Sequence, residues 1–440
     1  MTHMHRISSG TAIALLLLGT TTAVGAEPDW SKIETKTLTL FYPGQSTYEW
    51  LRSPDHRRAN QKVLEGEACV SCHEGEEAEI GELIVKGERL EPTPIAGKKG
   101  SVEVKAQVAY DNENLYMRFQ WPTQFDRPGQ YHEYRRFDGE KWAPYGGHRT
   151  SSGVMKGEQP PLYEDRLAIM VDDGSVETFA AQGCWLTCHT SMRDMPDEPT
   201  ADEIKANPQL GKAPYGSDIR KYLPESRNDP LKSLWDDTKA EDAIAELKKM
   251  GGYLDLMQWR AHRSNPVNMA DDGYVLEYRL FDEGKNPFSS NMNAETKAPK
   301  YMFDEAKVGV KALTADDIGD PTKPYALIRE ENTVAFDPDA GWKEGDILPG
   351  IVLSREDSTG SAADNKATTG VWEDGIWTVT WTRPLDTGNA ADDKAMLEGK
   401  VYNVGIAVHD DNTTTRFHFV SFPFTLGIGT DADIQAMRVE

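Results

Sequence analysis

All four cysteines of this 440-residue chain lie in two clusters, Cys69-Val70-Ser71-Cys72-His73 and Cys184-Trp185-Leu186-Thr187-Cys188-His189, and each cluster ends in a histidine. No cysteine is left for a structural disulfide. The first cluster has the spacing of a c-type haem attachment site, in which two thiols add across the haem vinyl groups and the adjacent imidazole sits under the iron. The other reading is a disulfide or a thioredoxin-like redox pair beside an incidental histidine. The second cluster is one residue longer, and the turn between its cysteines can absorb the extra residue. Its alternatives are a Cys184–Cys188 disulfide or two thiols on one helical face at i and i+4. Read as haem sites, the clusters call for two covalently bound c-type haems, attached at Cys69 and Cys72 and at Cys184 and Cys188. His73 and His189 are then the proximal iron ligands.

The N-terminus bears on the compartment. His5 and Arg6 precede a small, apolar run from Thr11 to Gly25 centred on Leu15–Leu18, and Val24-Gly25-Ala26 places small residues at the −3 and −1 positions. This reads as a signal peptide, residues 1–26, cleaved after Ala26, and with covalent haem it implies a periplasmic protein. An uncleaved anchor is the alternative, but the run falls short of the ~20 residues a spanning helix needs. The expectation is a protein with no membrane span after cleavage.

Residues 27–440 are too many for one small cytochrome and suggest a large domain plus a smaller module. A formal net charge of −24 argues against a nucleic-acid partner, which needs a basic face. The acidity either steers a basic redox partner or keeps the protein soluble in a salty habitat.

Residues 27–100 show little periodicity and read as a small, irregular or helical c-type haem module. From Ser101 the pattern turns to period two. Val102, Val104, Ala106, Val108 and Tyr110 alternate, Asp111–Asn114 forms a turn, and Leu115, Met117, Phe119 and Trp121 alternate again, which predicts a β-hairpin. Further strands are expected at Leu167–Val171, Tyr274–Leu280, Trp377–Trp381, Val401–His409 and Phe417–Leu426. Residues 101–440 therefore read as a mainly β haem-binding domain, a β-sandwich or barrel with long inserted loops. A helical insertion is expected at about 196–253, with one helix from Pro230 to Met250 capped by Asp229 and stopped by Gly251-Gly252. Arg355–Thr369, small and polar, reads as a mobile loop. Asp172-Asp173-Gly174 and Asp271-Asp272-Gly273 look like fragments of calcium loops, but hairpin turns explain them better.

The distal ligands must come from the remaining histidines or from methionines such as Met192, Met195, Met257 and Met269. His56, thirteen residues before Cys69, suits the first haem, with His262 or His132 as alternatives. The bland reading of His56 is an exposed histidine in a charged run. His418 sits in an apolar strand, where a buried imidazole needs a partner. A metal or a backbone carbonyl would supply one. His418 is the favoured distal ligand of the second haem and His262 the rival, its arginine neighbours suiting haem propionates.

Tyr163-Glu164-Asp165-Arg166, Gly183–His189, Asp255-Leu256-Met257-Gln258-Trp259-Arg260, Gly405–Asp410 and Phe417–Ser421 together resemble the haem-binding domain related to ethylbenzene dehydrogenase. This group is also described as the cytochrome c-552/DMSO reductase-like haem-binding domain. The resemblance spans about residues 101–440. It implies a β-sandwich that holds a haem and passes electrons. The best-known members hold a non-covalent haem with methionine and lysine ligands. Here the matching neighbourhood carries Cys184, Cys188 and His189, and His418 lies near the position of the lysine ligand. The first haem motif is a further departure and makes this a dihaem cytochrome. The His56-to-Cys69 spacing also resembles the small dihaem subunit of periplasmic nitrate reductase.

The leading expectation is a periplasmic electron carrier in a respiratory chain, more a carrier than an enzyme. Its redox partners would be a membrane quinol-oxidising cytochrome or a terminal reductase. The alternatives are a haem enzyme with an open iron acting on peroxide, nitrite or a sulfur compound, and a haem subunit of a larger reductase or dehydrogenase complex. Catalytic residues are not expected for a carrier.

Overall fold

Ser101–Tyr110 and Asn114–Pro122 form the hairpin that the alternation predicts, with Val108 opposite Met117 and Ala106 opposite Phe119. Asp111 fixes the turn, its Oδ1 accepting from the backbone of Glu113 and Asn114 at 2.7 Å each. The computed structural model describes residues 27–440 apart from 88–89, 126, 189–192, 213–215 and 231–232. Residues 1–26, expected to be a signal peptide, and His189 and Met192 therefore lie outside the described residues.

Thirteen strands join in one sheet. In chain order they are β1 (Lys36–Phe41), β2 (Ser101–Tyr110), β3 (Asn114–Pro122), β4 (Arg166–Asp172), β5 (Leu254–Arg260), β6 (Gly273–Val275), β7 (Arg279–Phe281), β8 (Ala367–Glu373), β9 (Ile376–Pro384), β10 (Val401–His409), β11 (Phe419–Val420), β12 (Phe424–Ile428) and β13 (Ile434–Arg438). The order is β8-β9-β3-β2-β1-β11-β10-β4-β5-β6-β7, and β12 and β13 bridge β10 back to β2. Six strands thus close a ring: β2, β1, β11, β10, β12 and β13. Two wings leave it, β3-β9-β8 and β4-β5-β6-β7. The mainly β expectation holds, and the described helices are few and short. The strands form a single sheet joined through β1, β11 and β10, and the parallel pairings β12–β13 and β2–β13 close part of it into a barrel rather than a two-sheet sandwich.

The wings meet over the main core. Trp259 of β5 packs edge-on against Trp121 of β3 at 5.9 Å and Trp377 of β9 at 4.9 Å. All three rings are buried, and such pairs add roughly 0.5–1.5 kcal/mol beyond area burial. Gly370 of β8 permits this packing, since a Cβ there would sit 2.3 Å from the Trp259 ring. Short strands within residues 134–145 and 288–353 form three small sheets beside the large one. Among the described residues no helix is long and apolar enough to cross a membrane.

Four local expectations change. Phe417–Leu426 is not one strand but β11 and β12, parted at Ser421–Pro423, and His418 lies just ahead of β11. Tyr274–Leu280 is not one strand but the hairpin β6–β7, with Tyr274 opposite Leu280. Pro230–Met250 is not one helix: the helix spans Glu241–Lys249 and starts after Ala240. Ahead of it the Ser233 hydroxyl donates to Asp237 at 2.5 Å, a local bond that competes with helix formation. Residues 355–369 are not a free loop. Ser361, Ala362, Ala363, Asn365 and Thr368 are buried, and the Asn365 amide oxygen accepts from Trp381 Nε1 at 2.7 Å. Small residues there permit close packing.

Within the expected insertion, the helix Ala201–Ala206 opens with a capping box, Thr200 and Glu203 each bonding the other's backbone N–H. Thr200→Ala should cost about 1 kcal/mol of stability, checked by urea denaturation. No change would mean this helix frays without consequence.

Candidate functional site

Cys69, Cys72 and His73 occupy one helical turn. Cys69 precedes the short helix Val70–His73, and its carbonyl accepts from Cys72 N at 3.2 Å and His73 N at 3.0 Å. At i, i+3 and i+4 the three side chains share a face. Cys69 and Cys72 are free thiols, and burial pushes Cys69 up to about 11.

His56 comes back over this turn. It sits in the short 3-10 stretch Pro54–Ala59, where Arg57 takes φ 48° and breaks the helical path. The His56 and His73 rings lie 6.2 Å apart and only 19° from parallel. With a metal–imidazole bond of about 2 Å on each side and roughly 1 Å from nitrogen to ring centre, two histidines sharing one metal put their centroids about 6 Å apart. Each ring also has its Nδ1 engaged elsewhere. His56 Nδ1 lies 3.0 Å from the Leu51 carbonyl, and His73 Nδ1 lies 2.9 Å from Glu76 Oε2. That is the orienting partner a metal-bound histidine requires, and it leaves both Nε2 atoms for a metal. Burial holds the His56 pKa below its ordinary value, which favours the neutral ring a metal needs.

Both histidines and both cysteines line a cavity of about 1210 Å³. Its walls are largely apolar: Trp50, Leu51, Val63, Ile80, Leu83 and Ile84 from the helical segments, and Phe41, Trp185 and Phe422 from the sheet side. Phe41 stacks on Trp185 at 5.1 Å, and Phe422 lies parallel to His73 at 6.4 Å. Apolar walls, two thiols and two opposed imidazole nitrogens fit a covalent haem. They leave no distal position for His132 or His262, which sit elsewhere.

The second cavity, about 310 Å³, opens on one face of β4 and β10. Cys184, Met170, Gly405, Ala407, His409 and His418 line it. Cys184 precedes the helical turn Trp185–Cys188, so the longer cysteine spacing spans one turn. Gly405 allows Cys184 to approach the sheet, since a Cβ there would stand 3.0 Å from the Cys184 sulfur. His418 Nδ1 bonds the Thr415 carbonyl at 2.5 Å, leaving Nε2 available. Burial, reinforced by Lys221, lowers His418 to about 3, so the ring is neutral. His409 lies 4.6 Å from it.

Eight basic side chains also line this cavity: Arg166, Arg193, Arg220, Lys221, Arg260, Arg263, Arg279 and Arg416. In a chain of net charge −24 this is a concentrated positive lining. Arg166 is its clearest member. Its Nε stands 3.3 Å from Glu164 Oε1 but is not aligned as a hydrogen bond, and its Nη2 has no acceptor. Buried guanidinium donors without acceptors suit an anionic group such as a haem propionate.

His262 does not line this cavity. Its Nδ1 bonds the Gln130 carbonyl at 3.1 Å and its ring lies 6.1 Å from His132. Its neighbours Arg260 and Arg263 do reach the lining. Met195, Met257 and Met269 are buried in hydrophobic clusters and line neither cavity. The residues that sequence reasoning did not single out are Met170, His409 and most of the basic lining.

The two cavities share a wall. Cys184 lines the second and Trp185, the next residue, lines the first. The first motif is tied to the same segment, as Cys69 N donates to the Ala181 carbonyl at 3.1 Å.

A cytochrome c-552 of Stutzerimonas stutzeri is 27% identical over 427 residues, covering 97% of this chain and 96% of that protein. A cytochrome c-551 of Rhodocyclus tenuis is 28% identical over 173 residues, covering 38% of this chain and 58% of that protein. A solved structure from Bacteroides uniformis, described as a carbohydrate-binding protein, covers 75% of this chain and 72% of its own at 8% identity and a TM-score of 0.21. That likeness is too low to carry an argument. The family model described as ethylbenzene dehydrogenase matches residues 27–421, and the chain belongs to that family.

Proposed function

We propose that this protein is a cytochrome with two covalently bound haems that carries electrons between redox partners. The observation that carries the reading is the opposed pair His56 and His73, 6.2 Å apart and nearly parallel. Such a pair would hold an iron from both sides and leave it no open position. A bound haem supplies one-electron exchange, and the protein tunes it through ligand identity, burial and nearby charge. Cys69 and Cys72 would attach the first haem, and Cys184 and Cys188 the second, with His189 and His418 as its axial pair. The cationic lining around Arg166 would receive the propionates. The shared wall at Cys184–Trp185 would keep the two haems close.

The near full-length likeness to a protein named cytochrome c-552 supports a free-standing carrier over a subunit of a larger enzyme. Covalent haem and the apolar leader 1–26 together support a periplasmic location. The acidic surface would dock a basic partner, so electron exchange should slow as ionic strength rises.

Carbon monoxide tests the reading. The dithionite-reduced protein is expected to keep its Soret spectrum under carbon monoxide, and His56→Ala is expected to bind the gas at one haem. Immediate uptake by the unaltered protein at the first haem would contradict the carrier assignment and favour an enzyme.

A further inference from the structure

Five aspartates converge where the wing β5–β7 meets the loop between β9 and β10. Asp255 lies in β5, Asp272 just before β6, Asp282 just after β7, and Asp392 and Asp393 in the loop. All five are buried, with relative exposures between 0% and 5%. Their carboxylate oxygens form two triads that share Asp393: Asp255, Asp272 and Asp393, and Asp282, Asp392 and Asp393.

The cluster is under-satisfied. Arg383, fully buried, donates to Asp255 at 2.9 Å and stands 3.6 Å from Asp393. Lys394 points away, its Nζ bonding Asp173 and the Gly251 carbonyl. One guanidinium therefore faces five carboxyls. Some oxygens do have donors: Asn365 and Gly273 N serve Asp272, Ser361 serves Asp392, and Thr387 serves Asp393. Others have none. Both oxygens of Asp282, Oδ1 of Asp255 and Oδ1 of Asp393 are buried without a hydrogen-bond donor. Asp282 is 5% exposed, and although the charge of Lys248 acts on it, neither of its oxygens has a donor.

We propose that this cluster binds a calcium ion, with Asp282, Asp392 and Asp393 as its principal ligands and Asp255 and Asp272 alongside. Every ligand atom is a carboxylate oxygen, the donor set of a hard cation rather than of zinc or copper. The atoms of each triad lie within 4.8 Å of one another. Calcium accepts a cage built wholly of protein oxygens, whereas magnesium dehydrates reluctantly and keeps several waters. The ion would lock the outer wing to the β9–β10 loop. It sits at one end of β5, whose other end carries Arg260 of the second cavity, roughly 17 Å along the strand. Asp271-Asp272-Gly273, which reads as a turn, thus divides its acids. Asp271 pairs with Arg260 and Arg279, and Asp272 faces the cluster. Protonation of some carboxyls is the other way to relieve the repulsion.

The test uses the intact holoprotein, dialysed against a calcium chelator and titrated with calcium chloride by calorimetry. Melting is followed in chelator, in calcium and in magnesium. About one calcium per chain is expected. The melting temperature should rise by several degrees in calcium and by less in magnesium. Asp282→Asn, checked for unchanged haem content, should lose both the binding heat and the calcium response, and should melt no lower than the unaltered protein in chelator. Asp392→Asn serves as the second variant if the first does not fold. No heat and identical melting in chelator and calcium would overturn the proposal, as would calcium binding unchanged in both variants. An equal response to magnesium would overturn the assignment to calcium.

Discussion

Replacing Cys69 and Cys72 together with serine is expected to leave one covalent haem instead of two and to unfold residues 48–87, while the thirteen-strand sheet persists. The helices that enclose the first cavity are Tyr48–Arg52, Asn60–Leu64, Val70–His73 and Glu77–Val85. Each is shorter than the ~12–15 residues below which an isolated helix is marginal in water. They bury very little of their own: Tyr48 in the first, none in the next two, Gly81 and Ile84 in the last. What they surround is a cavity of about 1210 Å³. Without a covalent occupant this segment keeps contacts such as those of Tyr48, Ile80 and Ile84 with the sheet's clusters, but water enters its apolar cavity. The sheet keeps its own core through Trp121, Trp259 and Trp377. Hydrogen exchange read by mass spectrometry should show fast exchange confined to the helical segment. Unchanged protection there would mean that the helices hold themselves without a cofactor.

Removing the Glu164 side chain should produce the largest loss of stability from a single substitution near the second cavity. Glu164 is buried at the head of β4; it accepts from three donors and has the Arg166 guanidinium beside it. Arg263 Nε reaches it at 2.6 Å, the backbone N–H groups of His262 and Arg263 at 3.0 and 2.9 Å, and Arg166 lies at 3.3 Å. Glu164→Ala would leave Arg166 and Arg263 buried and without this partner. Breaking a buried pair in this way typically costs about 3–5 kcal/mol. Burial alone would raise the Glu164 pKa, but Arg263 foremost, with Arg166 and Arg260, holds it well below the usual carboxylate range. The sign follows from that depression. The carboxylate contributes its full stability above the unfolded value of about 4.3, and the contribution is lost as pH falls toward the folded value. Urea denaturation should therefore show a large gap between Glu164→Ala and the unaltered protein at neutral pH, and a narrower gap in acid. A constant gap would place the effect in packing rather than in charge.

The parts of this molecule that are local in sequence are the parts that could be read from it. The Cys69–His73 turn announces its chemistry because its side chains lie within five residues. The β2–β3 hairpin and the tryptophans of β9 follow from strict alternation. His56 was reachable through its spacing to Cys69, and His418 stood out as a polar ring in an apolar run, although it lies just ahead of β11 rather than in a strand. The ring closure was not legible. It depends on β13, a strand of five residues that pairs in parallel both with β12 just before it and with the distant β2 at Ala109–Tyr110. The cationic lining was legible only around Arg260. Arg166, Arg193, Arg220, Arg279 and Arg416 come from separate segments and meet only in space. Tyr274–Leu280 misled because period-two alternation continues through the bend at Leu276–Tyr278, where the Leu276 N–H donates to the Tyr278 carbonyl at 3.1 Å. The acidic cluster was half visible as an Asp-Asp-Gly turn, and its other members lie in different loops.

The mass of the denatured protein, purified from cells that mature c-type cytochromes, tests the central claim most directly. A polypeptide beginning at Glu27 and carrying two haems through thioether bonds is the predicted result. A single added haem would remove the second site at Cys184 and Cys188, and a polypeptide without any would contradict the account as a whole.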